Sequence, residues 1–259
     1  MTGQGRQAGQ GTRRQTNDPR FLVFLFLFCR QKEAMTGLRL VGATAFRSFR
    51  NVWMLEELGV TYEHIVAGPR SPEADAGSPF GKIPSLRDGE FQMYESAAIN
   101  TYLGDKFRGR EGAADLVPEP GSHVRGRYEQ AIMCMMSELD AQGLWIHRKH
   151  EALAHIFGAC PIAVEHAKTH TSRTFAILAA QLRANGGPYL LGSDFSAADI
   201  LFVHCCNWAE AIGWGQAWTT ALREQDADMQ LLKDYLKQCR SRAAYQRTNA
   251  KKLSESAGT

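Results

Sequence analysis

The sequence predicts an α/β domain followed by an all-α domain. Through Phe107, short strand-like runs alternate with helical periodicities. From His123 onward no strand pattern appears. Between them lies a Gly-, Pro- and acid-rich run, Gly109 to Gly121, of linker composition. The chain has 259 residues, enough for two small domains. The expected division is an extension over 1–36, an α/β domain over 37–110, a linker over 111–122, a helical domain over 123–250 and a tail over 251–259.

Leu38 to Val41 reads as the first strand. Phe46 to Leu58 places Phe49, Val52, Trp53 and Leu55 close to helical spacing, and Gly59 is suited to end that helix in a left-handed conformation. Thr61 to Val66 alternates and is rich in strand formers, and two strands flanking a helix are expected to pair in parallel. Gly68 to Ser78 is polar, with at most a short helix. Ile83–Leu86 and Phe91–Tyr94 flank a Gly-containing turn, Arg87 to Glu90, as in a hairpin. Glu95 to Phe107 carries Ala98, Ile99, Tyr102 and Leu103 at helical spacing. Tyr128–Trp145, Cys160–Ala184, Ser196–Ile212 and Asp226–Ala243 read as further helices. Ser196 and Asp199 have the spacing of a capping box, a structural device.

A net charge of +3, with no Lys/Arg stripe interleaved with aromatics, excludes a nucleic-acid footprint. None of the six cysteines forms a CxxC pair, and Cys205-Cys206 is a poor metal or disulfide spacing, so thiols in a reducing compartment are expected. Met1 to Pro19 has a disordered composition. Phe21 to Cys29 is apolar, flanked by basic residues and shorter than the ~20 residues that span a bilayer. No A-x-A-like cleavage site follows it. Either Met35 is the true start, or the extension targets the chain, and membrane contact is expected only through 21–29. The cytoplasm is the expected compartment, with an organelle or the secretory route as the alternative.

The chemistry concentrates at Gly81-Lys82-Ile83-Pro84-Ser85-Leu86 and Tyr94-Glu95-Ser96-Ala97-Ala98-Ile99. Proline makes a cis peptide accessible. A cis Ile83–Pro84 bond would leave the Ile83 N–H and C=O facing a groove. Glu95-Ser96 at a helix start would aim a carboxylate, a hydroxyl and N–H groups at the same groove. Such a groove suits a small zwitterionic peptide.

With Leu38-Arg39-Leu40-Val41-Gly42, the run Arg50-Asn51-Val52-Trp53-Met54-Leu55-Glu56-Glu57-Leu58-Gly59-Val60, and Leu191 to Ile200, these motifs resemble the cytosolic glutathione transferase family over roughly Leu38 to Lys251. The resemblance implies a thioredoxin-like βαβαββα domain followed by a helical bundle, a homodimer, and glutathione as co-substrate with no cofactor and no metal. It implies that Lys82 reaches a glutathione carboxylate, that Ile83, before Pro84, pairs with the cysteinyl unit, and that Glu95 and Ser96 hold the γ-glutamyl end. The family's usual thiol-activating serine or cysteine falls on Phe46, and Val41 stands where other branches have tyrosine. Ser48, Thr44 and the cations Arg47 or Arg50 are the substitutes within the loop and helix start, with Ser48 preferred. Trp145, Lys149 and Met133, together with Met136, His147 and Trp208, are candidates for the second-substrate wall. His147 and His150 share a helix face without a third ligand. The implied activity is conjugation of the glutathione thiolate to hydrophobic electrophiles. A non-catalytic glutathione-binding protein, or a glutathione-dependent lyase, peroxidase or isomerase, are the alternatives.

Overall fold

The computed structural model describes residues 37–215 and 227–257. The expectations for residues 1–36, including contact through 21–29, lie outside the described residues. Strand β1 (Leu38–Val41) leads into helix α1 (Ser48–Leu58), then β2 (Glu63–Ile65), a short α2 (Pro72–Gly77), the hairpin β3 (Ser85–Asp88) and β4 (Phe91–Tyr94), and α3 (Ser96–Lys106). The sheet order is β2-β1-β3-β4. β1 pairs in parallel with β2 and antiparallel with β3, the βαβαββα order expected of the thioredoxin-like fold. Helix α1 ends at Gly59, whose φ of 60° only glycine adopts at little cost.

The remaining described elements are helical. Helix α4 (His123–Cys134) runs on through Met135–Leu144, Trp145–His147 and Arg148–Ala152, with wide π-type turns in the first and last of these segments. Then follow α5 (Ala154–Phe157), α6 (Pro161–Ala184), α7 (Ala197–Ala211), α8 (Ala227–Arg240) and α9 (Ala243–Ala257). Among the described residues no helix is long and apolar enough to cross a membrane.

Among the boundaries that differ from expectation, two bear on the site. Helix α1 begins at Ser48 rather than Phe46, because Phe46 N–H turns back to the Ala43 carbonyl in a tight i→i+3 bend. Residues 251–257, expected as a tail, are the end of α9. That helix buries only Ala244, Tyr245 and Thr248, too narrow a stripe to show as periodicity. Ion pairs tie the rest of its surface and its N-terminal approach: Lys251 and Arg247 bond Glu56, and Arg242, just before the helix, grips Glu57 with two N–H groups.

Helix α1 lies between the sheet and the helical region. Its Trp53 is fully enclosed, edge-on to Tyr245 of α9 and tilted against Phe195 before α7. One continuous apolar cluster therefore runs from Leu40 through α1 into α7. Burying a large side chain of this kind contributes on the order of 2–3 kcal/mol, which joins the two regions into one body.

Candidate functional site

The expected groove falls where three chain segments end together. β3 pairs with β1 and β4 through Val41↔Ser85 and Ser85↔Tyr94. Continuing both registers puts Gly42, Pro84 and Glu95 side by side at one end of the sheet. The Ile83–Pro84 peptide is cis, as expected. Lys82 is exposed, whereas Ile83 is buried against Val41, Ala67 and Ala74, with Phe46 packed on the same cluster. Phe46 therefore marks the end of the groove next to Ile83.

Across the ladder, Glu95 takes φ 74° and ψ 108°. This left-handed backbone is costly for a residue with a side chain, of order 1–3 kcal/mol. It leaves the Glu95 side chain exposed at the start of α3, with Ser96 buried behind it. The Ser96 hydroxyl accepts an N–H from Arg50 at 3.1 Å, so its own proton remains available to donate. A carboxylate, a hydroxyl donor and the positive end of α3 thus share one corner, the arrangement that holds an α-amino acid head group.

Behind the groove stands a buried ionic knot. Asp140, in the π-turn segment after α4, accepts from the Nη2 of Arg50 at 2.7 Å and from Arg47 through Nε at 2.9 Å and through Nη2. Burial alone would raise the Asp140 carboxyl, but Arg50 and Arg47 hold it well below the usual carboxylate range. Arg50 also donates from Nε to Nδ1 of His204 at 3.1 Å. Burial, aided by Arg50, pushes that imidazole well below its ordinary value. Arg47 is stacked between Trp145 and Trp208, 5.2 and 4.9 Å from their ring centres.

On the far side of Phe46 and Arg47 opens a cavity of about 390 Å³. Phe46, Phe49, Trp208 and Tyr245 supply its aromatic wall, with Arg148, Asn207, Arg240, Asn249 and Lys252 among its polar groups. Phe46 belongs both to the Ile83 cluster and to this cavity, so groove and cavity meet at its ring.

Comparison with known proteins agrees with this geometry. The pattern of the glutathione S-transferase N-terminal domain matches residues 48–111, and that of its C-terminal domain matches 161–237. Glutathione S-transferase F10 of Arabidopsis thaliana is 30% identical over 166 residues, 59% of this chain and 72% of that protein. The chain belongs to the glutathione transferase family. A probable glutathione S-transferase of rice, GSTF1, is 31% identical over 134 residues, 49% of this chain, and the match spans only 56% of that relative's length. Among solved structures, the glutathione transferase URE2P6 of Phanerochaete chrysosporium, crystallised with oxidised glutathione, superposes with a TM-score of 0.67 at 22% identity, covering 84% of this chain and 96% of that one. At that identity the likeness establishes the fold.

Within this transferase fold, the residues expected to bind glutathione come together: Lys82, Ile83, Pro84, Glu95 and Ser96 at one sheet end, with Phe46 beside them. Ser48, Thr44 and Arg50, expected to activate the thiol, are all enclosed rather than exposed beside them. Ser48 is fully enclosed, and its hydroxyl has no hydrogen-bond partner. It presses on Gly42, where a β-carbon would fall 2.1 Å from the Ser48 oxygen. Thr44 is also buried, with N–H and hydroxyl both given to Glu255 at 2.7 and 2.8 Å. Arg50 has no exposed surface and is spent on Asp140, Ser96 and His204. Nor do cysteines replace them: burial pushes the Cys205 thiol up to about 11 and Cys206 well above its ordinary value.

The second-substrate expectations need correction too. Met133 is 64% exposed on α4 and does not line the cavity. Lys149 sits over Phe157, 5.6 Å from its ring. Trp145 does not line the cavity either; both Arg47 and Lys82 lie over its ring, the latter 5.7 Å from its centre. Trp208 does line the cavity. Asp140, Arg148, Tyr245 and Lys252 carry no local signal, since only tertiary packing brings them here. His147 lies 3.6 Å from a Glu151 carboxylate oxygen and His150 bonds the Gly158 carbonyl, and among the described residues no set of three metal-binding side chains converges.

Proposed function

We propose that this protein binds glutathione in the groove and conjugates its thiolate to an electrophile held in the adjoining cavity. The observation that carries the reading is the shared position of Phe46, at the cysteinyl end of the groove and in the cavity wall. Glu95 pairs with the ligand's ammonium, Ser96 and the α3 amides with its α-carboxylate, and Lys82 with the glycyl end. The backbone of Ile83, which precedes the ladder, pairs with the cysteinyl unit.

Moving a thiol from pKa ~8.5 to below neutral requires ~2 kcal/mol. With Ser48, Thr44 and Arg50 enclosed, the positive end of α1 supplies part of this, ~0.3–1 kcal/mol and up to ~2 when partly buried. Arg47, next to Phe46 in the chain and 25% exposed in its side chain, supplies the rest. Burial would lower the Arg47 pKa, but Asp140 raises it, so its charge persists at any working pH. The thiolate sulfur forms a bond to the electrophilic carbon; in a displacement the leaving group departs with its bonding electron pair, and in an addition the π electron pair moves onto the acceptor, which takes up a proton from water.

The lack of a hydroxyl at Phe46 favours one second reading, a binder that keeps the groove without activation. The two separate in a single experiment. The protein is retained on immobilised glutathione under both readings. Ultraviolet absorption of the bound thiolate at pH 7, with turnover of an aryl halide, is expected only for the transferase. Retention without either signal establishes the binder.

A further inference from the structure

The cavity beside Phe46 is aromatic in its walls and unbalanced in its charges. Four cationic side chains line it: Arg47, Arg148, Arg240 and Lys252. Arg47 shares the single Asp140 carboxylate with Arg50, and Arg240 is paired with Glu210, 2.7 Å away. His204, buried and holding an Arg50 N–H on Nδ1, is neutral. Glu255, close by, gives its carboxylate to Thr44 and lies 3.9 Å from His64. Among the described residues, Arg148 and Lys252 have no carboxylate partner.

Both are half-buried. The Arg148 guanidinium lies over the Phe46 ring, 5.2 Å from its centre, held in place by a cation–π contact. Burial, and then the neighbouring Arg47 cation, lower its pKa, the mark of a desolvated charge without a counterion. Keeping two uncompensated cations beside an apolar wall is unfavourable unless an anion enters. Phe46 and Trp208, both half-buried, provide apolar faces for a planar ring system, with Phe49 and Tyr245 packed behind.

We propose that the second-substrate cavity is built for a planar aromatic anion, a carboxylate or sulfonate whose ring packs on Phe46 and Trp208 and whose charge meets Arg148 and Lys252. This rests on the transferase reading only for the reaction. The cavity and its charges stand without it.

The test uses 2-naphthoate and its neutral near-isostere 2-naphthamide, titrated without glutathione and followed by tryptophan fluorescence at low and high salt. The expected result is naphthoate binding at least about tenfold tighter than the amide, roughly 1.4 kcal/mol, with the preference shrinking as salt screens the charges. In the double variant Arg148→Gln/Lys252→Gln the preference falls to parity. In Arg148→Lys/Lys252→Arg, which keeps both charges, it survives, and this variant decides the question if the first fails to fold. Equal affinity for the two probes, or a preference that persists in the double glutamine variant, overturns the proposal. Because glutathione is absent, that failure is distinct from failure of the transferase reading, which shows as loss of retention on immobilised glutathione.

Discussion

At the scale of single residues, the site is defined by backbone geometry as much as by side chains. Glu95 keeps its positive φ against a local cost, and glycine tolerates that conformation. Glu95→Gly is therefore expected to raise the melting temperature by a few degrees, for relief of ~1 kcal/mol, while retention on immobilised glutathione is lost. Scanning calorimetry beside the retention assay checks both halves. Glu95→Ala is expected to weaken glutathione binding by about 2 kcal/mol, roughly 30-fold in Kd, because a charge-assisted bond disappears. Ser48 is the contrary case. Its hydroxyl is buried without a partner, so Ser48→Ala is expected to leave turnover unchanged and stability equal or higher by up to ~1 kcal/mol. Loss of conjugation in that variant would restore Ser48 as the activator. A serine opening a helix reads alike in sequence whether it faces the groove or the sheet, and here the bare Cα of Gly42 decides the direction.

At the scale of elements, the π-turn segment after α4 and the helix α9 do most to hold the site. Asp140 joins α1 to the helical region through two arginines, one of them without exposed surface. Removing one partner of such a buried set leaves uncompensated charge, so Asp140→Asn is expected to cost ~3–5 kcal/mol in urea unfolding. The sign of the pH effect follows from the lowered carboxyl. Its contribution is fully present above the unfolded value of ~3.9 and is lost as pH falls toward the lower folded value. Wild type is therefore expected to lose stability steeply below about pH 4, and Asp140→Asn to show a shallower acid limb in the same titration. Asp199 carries a comparable burden. Fully buried, its carboxylate accepts from Leu190 N–H, Ser196 N–H and hydroxyl, and Tyr235 hydroxyl, at 2.8 to 2.9 Å, more than its capping-box spacing alone implies. The strands and α1 were legible because each buries a face with its own period. Helix α9 was not, because it buries only Ala244, Tyr245 and Thr248 and meets Glu56 and, through Arg242 just before it, Glu57 by ion pairs, so no apolar period marks it.

At the scale of the whole molecule, two regions of different architecture share one core and one ionic knot, and the groove and the cavity lie on either side of Phe46. The groove was legible in the sequence because proline, a glutamate–serine pair and strand ends punctuate the chain there. The cavity was not, because Arg148, Trp208, Tyr245 and Lys252 come from separate helices that only the fold assembles. The central claim is that this groove recognises glutathione by its γ-glutamyl end. Isothermal titration of glutathione against cysteinylglycine, which lacks that end, tests it most directly. The account predicts saturable binding of glutathione and at least about tenfold weaker binding of the dipeptide, the loss of a 1.4 kcal/mol or larger contribution from Glu95 and Ser96. Equal affinities for the two, or no heat from glutathione with the protein folded, would contradict it.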